Sequence, residues 1–246
     1  MRSQYELSLR ARGVSIDAGV NDAPLLRVSD GRSASMRAAV DLWLAPEGNA
    51  LTASVSSLDP CGDAPLVDIV LAPPDSKLPP AARLTWSLPR AHPFEPFRVE
   101  LPFALRSAVK TRLWSDVPEA IELDDAAHHA AIDAAMRLAE ALARRDLDAV
   151  MGLVRYRTDE TARAFDFDAD ENERAVSEAF DRLVADPSFA IAPARRSALR
   201  ATPCAGERVF HITRDDGREL VVSRDEPAQR MQVYVAPIEG VWRVVR

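Results

Sequence analysis

The chain reads as α+β, with an all-β first half followed by helices and then an antiparallel sheet. Three observations carry this reading. Apolar residues alternate with period two in short runs between residues 5 and 88, which places one face of each run in a core. Between residues 126 and 184 the apolar period changes to that of a helix. From residue 209 onward period two returns and persists to the end. A chain of 246 residues has room for two ordinary domains, placed here as a β-sandwich over 1–117 and an α+β domain over 118–246.

In the first half, residues 5–11, 51–55 and 83–88 alternate, whereas 66–71 is more continuously apolar, as in a strand covered on both faces. Turn chemistry separates them at Asp30-Gly31, at 46–49, at 59–63 and at Pro73-Pro74-Asp75. Short strands at this spacing predict a sandwich or jelly roll. Residues 43–51 look like a hairpin found in ligand-binding β-sandwiches. Pro118 breaks regular structure, and Asp124 or Asp125 can cap the helix that follows, with Asp125 preferred.

Ile132, Met136, Ala139 and Leu142 lie on one stripe of that helix. Its other face offers the pairs Asp133–Arg137 and Glu140–Arg144 at i,i+4. Asp146 opens a second helix with Leu147, Val150, Met151 and Val154 inward. A third uses Val176, Ala179, Phe180, Leu183 and Val184, and stops at Asp186-Pro187. Residues 209–213 and 219–223 flank Asp215-Asp216-Gly217, a hairpin signal. Residues 231–235 then pair with 241–245 around Glu239-Gly240, and alternation puts Trp242 and Val244 on the face toward the helices.

An apolar helix, the turn Arg144-Arg145 and then Asp146-Leu147-Asp148 opening a second helix resemble the start of the cone-shaped fold of nuclear transport factor 2, ketosteroid isomerase and SnoaL-like proteins. Gly240-Val241-Trp242-Arg243-Val244 resembles the last strand of that superfamily. The resemblance covers about 126–246 and implies helices packed on a curved antiparallel sheet. It implies no single function, because this fold hosts enzymes, binding modules and assembly domains alike.

Candidate chemistry is sparse. Cone-fold enzymes place an acid or base on the sheet wall or facing helices, which makes His211 a candidate base with Tyr156, Asp159 and Tyr234 as companions. His211 alternates with Phe210 and Ile212, so it faces either the cavity or the far side of the sheet. For a metal, Asp124 and His128 share a helix face at i,i+4, as do Asp125 and His129, but a third ligand is lacking. Asp166, Asp168 and Asp170 copy the opening of a calcium loop, yet Glu171 replaces its glycine and Ser177 its closing glutamate. No cofactor and no metal are therefore expected, and the acids read as caps.

Charge is uneven. Residues 119–186 hold 18 acids against 8 bases, while 1–118 balance at 13 each. An acidic face repels a phosphate backbone and suits a basic protein partner. Cys61 and Cys204 make no ligand set or disulfide framework, and the start of the chain has no apolar run, so the expected setting is the cytoplasm, off the membrane. The function expected first is non-catalytic protein binding, in the style of a bacterial immunity or accessory protein. A small-molecule enzyme using a cone cavity is the alternative. Sugar binding by the β half is a third, with Trp43, Trp86 and Trp114 as stacking residues.

Overall fold

The computed structural model describes residues 4–246 other than 30, 32, 59–63, 75–78, 88–93, 107, 120, 188 and 225–229. The turns expected at Asp30 and at 59–63, the end of the 73–75 turn, and Cys61 lie outside the described residues. Fourteen strands in four antiparallel sheets and four helices are described, with the longer helices all in the second half. The chain divides into two compact units, Met1–Lys110 and Thr111–Arg246.

The first unit holds β1 (Glu6–Arg12), β2 (Val14–Val20), β3 (Ala23–Val28), β4 (Ala34–Ala39), β5 (Asn49–Leu58), β6 (Leu66–Ala72), β7 (Ala82–Ser87) and β8 (Phe97–Phe103). They form two four-stranded sheets, β4-β1-β6-β7 and β3-β2-β5-β8. Each buries alternate residues, Leu7, Leu9, Val67 and Ile69 in one, Ile16, Ala18, Leu51 and Ala53 in the other. Two antiparallel sheets with one buried face each is the pattern of a sandwich. The only helical turn described in this unit is the 3-10 turn Asp41–Trp43.

Three expectations are corrected here. The 66–71 run is not buried on both faces: Val67, Ile69 and Leu71 are buried, whereas Asp68 on the other face pairs with Arg83 at 3.1 Å. Residues 43–51 are not a hairpin, because β4 and β5 belong to different sheets. The intervening loop is fixed by side chains instead. Asn49 bonds both the N–H and the C=O of Ala45 at 2.8 and 2.7 Å, and Asn21 donates to the Trp43 carbonyl at 2.8 Å. Trp43 is buried, Trp86 packs on Phe97 with centroids 5.1 Å apart, and Trp114 belongs to the second unit and not to the β half.

The second unit opens with the single turn α1 (Leu113–Asp116), then α2 (Asp125–Ala143), α3 (Leu147–Phe165) and α4 (Ala169–Ala185). Each of the three long helices is started by an aspartate accepting a backbone N–H three residues on: Asp124 from Ala127, Asp146 from Ala149 and Asp168 from Glu171. The first cap is Asp124 and not Asp125, because Asp124 has the extended backbone a cap needs while Asp125 is already helical. Asp133 pairs with Arg196 at 2.9 Å instead of Arg137, a tie from α2 to the segment before the sheet.

The strands are β9 (Leu199–Cys204), β10 (Val209–Arg214), β11 (Val221–Val222), β12 (Arg230–Met231), β13 (Val233–Ile238) and β14 (Val241–Val244). The main sheet has the order β14-β13-β10-β9, with β11 and β12 paired separately. The hairpin expected around Asp215-Asp216-Gly217 has its turn but only one bridge, Thr213 to Glu219. Both edges of β10 are taken by β9 and β13, so the chain must leave. The Arg214 guanidinium stabilises that departure by donating to the carbonyls of Pro193, Ala192, Glu219 and Leu220. Leu138, Leu142, Val150, Val154, Phe210, Ile212, Val233, Val235 and Val244 form the core between helices and sheet. Trp242 packs at its margin, 5.6 Å from the Phe210 ring, on the expected face.

Candidate functional site

His211 and Tyr234 sit opposite each other on β10 and β13, and their rings stack at 4.5 Å. Their neighbours Phe210 and Val235 enter the helix-facing core, so His211 and Tyr234 occupy the other side of the sheet. His211 is only 3% exposed, with Nε2 lying 3.1 Å from Glu219 Oε2. His211 is thus hydrogen-bonded to a carboxylate on one side and stacked on a ring on another. Phe210, Ile212, Leu138 and Leu142 pack together between sheet and helices.

Of the proposed companions Tyr234 stacks on His211, whereas Asp159 and Tyr156 do not join it. Asp159 is exposed on α3. Tyr156 donates to Asp116 Oδ2 at 3.1 Å and lines a separate cleft of about 610 Å³ with Arg112, Asp116, Glu239 and Arg243. Burial, and then the charges of Glu160 and Asp116, push the Tyr156 phenol above its ordinary range. The neutral phenol donates its proton in the hydrogen bond to Asp116. The cleft pairs two guanidinium groups with two carboxylates, so its charges offset one another.

The metal candidates are used as caps and contacts. The Asp124 side chain holds the Ala127 N–H, and His128 Nδ1 lies 2.7 Å from the Asp124 carbonyl with its ring against Phe210. Asp166 ends α3 in a left-handed conformation, Asp168 caps α4, and Asp170 lies in its first turn. Among the described residues no three His, Cys, Asp or Glu side chains are grouped to hold a metal.

One buried charge has no signature in the residue pattern. Glu160 is fully buried on α3. Its Oε2 accepts the Thr111 hydroxyl at 2.5 Å and the backbone N–H groups of Arg112 and Leu113 at 2.8 and 3.2 Å. Its Oε1 has no hydrogen-bond partner among the described residues, but lies 3.4 Å from Arg163 Nε and 3.7 Å from Arg112 Nε. Arg246 is buried beside it and donates to Thr111 Oγ1 at 3.1 Å. Burial lowers the Arg246 pKa to about 10 against the raising effect of Glu160 and Tyr156, and Arg157 lowers it further. A glutamate in the polar stretch 155–163 carries the pattern of a surface residue, so only the fold could place it inside.

Two features face outward. Between α3 and α4 lies a groove of about 310 Å³ lined by Val154, Arg157, Val176, Phe180, Leu183 and Met231, together with small and hydroxyl side chains. The outer side of α4 is acidic: residues 168–185 hold six acids and two bases, all exposed, and Val184 is the one buried residue of the helix.

Comparison with known proteins matches no family model, no curated protein and no solved structure. Function is therefore argued from these side chains alone.

Proposed function

We propose that the protein acts without catalysis, by binding another protein through the acidic outer face of α4. The observation that carries this reading is the contrast between the two sides of the helical layer. Inside, apolar side chains occupy the space a substrate would need. Outside, Asp170, Glu171, Glu173, Glu178 and Asp181 are exposed on a helix that contributes little to the core. A field of one sign steers a partner of the opposite sign, so the partner surface is basic. The helices α2 and α3 packed on a four-stranded antiparallel sheet, with α4 against α3, support the further proposal that this unit is a cone-fold domain used for binding. No helix in the described residues is long and apolar enough to cross a membrane.

The test is affinity capture from source-cell lysate with the native chain and with a Glu171→Lys, Glu173→Lys, Glu178→Lys triple variant of unchanged circular dichroism. The expected result is a basic protein retained by the native chain at low salt and lost both with the variant and at high salt. Equal capture by the two chains, or no basic protein retained by the native chain, overturns the reading.

A further inference from the structure

The groove between α3 and α4 carries a different signal from the acidic face beside it. Its wall is apolar, with Val154 from α3, Val176, Phe180 and Leu183 from α4, and Met231 from β12. Arg157 is the one charged residue among those lining it. Thr158 and Thr161 also line it, but their hydroxyls donate back to the carbonyls of Val154 and Arg157 and are thus already used. Among the described residues Arg157 has no carboxylate in ion-pair contact, although acids are plentiful on both helices. A guanidinium in an apolar setting without a counter-charge is costly, and a ligand anion relieves that cost. Arg157 is half-buried, and that burial lowers its pKa.

We propose that this groove binds an amphipathic carboxylate, a medium-chain fatty acid, with its carboxylate on Arg157 and its alkyl chain along Val176, Phe180, Leu183 and Met231. Its volume of about 310 Å³ falls at the lower end of the ~300–1,000 Å³ typical of small-molecule pockets, which favours a chain of medium length over a long one. A planar guanidinium takes a carboxylate through two parallel hydrogen bonds, and that geometry selects against an alcohol or an amine of the same chain. This inference is independent of the protein-binding reading.

The experiment is calorimetric titration of the full chain with decanoate below its micelle concentration, beside octanoate, hexanoate and decyltrimethylammonium. Decanoate is expected to bind with one-to-one stoichiometry, and affinity is expected to fall about fourfold per methylene removed. Decyltrimethylammonium is expected not to bind. Arg157→Gln is expected to weaken decanoate at least tenfold, and Arg157→Lys to restore part of that loss. Ala179→Phe, which fills the groove and leaves Arg157 in place, is expected to abolish binding. Heteronuclear NMR of the native chain checks the location, with shifts expected at Val176, Phe180 and Met231. Absence of decanoate binding, equal binding of the cationic amphiphile, or full affinity in the folded Arg157→Gln chain overturns the proposal.

Discussion

Tyr156 shows how one side chain reports its surroundings. Its phenol is held neutral by burial first, then by Glu160 and Asp116. The folded-state pKa is raised above the ordinary value of ~10, so above that pH the folded chain holds a proton the unfolded chain has lost. The stability it contributes is fully present below ~10 and is lost as pH rises toward the folded value. Denaturation midpoints between pH ~9 and ~11 are therefore expected to fall more steeply for wild type than for Tyr156→Phe. Parallel slopes for the two chains would remove Tyr156 from this role. Other residues differ in how much of their role could be read in advance. Asp146 and Asp168 were legible as caps because a helix start depends on neighbours in sequence. His211 was not, because alternation says which residues share a face and not which face is covered.

At the scale of elements, α3 is held by a contact far from it in sequence. Glu160 receives the Thr111 hydroxyl and two backbone N–H groups from the segment that opens the second unit. Glu160→Ala leaves these donors buried and unpaired and is expected to cost about 3–5 kcal/mol in chemical denaturation. Glu160→Gln keeps an acceptor of the same shape and is expected to cost about 1–2 kcal/mol. Equal losses for the two would mean that packing and not hydrogen bonding holds this junction. The three long helices were visible in sequence through their apolar stripes, whereas β9 was missed because Pro203 and Thr202 hide its alternation. The β2–β3 turn was also missed. Asn21 and Asp22 both adopt positive φ there, 52° and 66°, a use of Asn-Asp that a search for Asn-Gly or Asp-Gly overlooks.

For the whole molecule, the second unit begins at Thr111, and Glu160 ties residues 111–113 to α3 within that unit. A fragment spanning 111–246 keeps the partners of Glu160, and one spanning 120–246 loses them. The longer fragment is expected to unfold at a clearly higher urea midpoint, measured by circular dichroism, and an equal midpoint would show that residues 111–119 add nothing to the second unit. The sequence by itself determined the order of the chain, strands first, then three capped helices, then an antiparallel sheet, because period and cap chemistry are local properties. It also determined the acidic surplus of the helical segment, which is a count. Tertiary structure alone decided that Glu160 is buried, that His211 meets Glu219 and not Tyr156, and that Arg157 lines an apolar groove. Each of these depends on which element covers a given face, and coverage is set by packing between residues tens of positions apart, where periodicity carries no information.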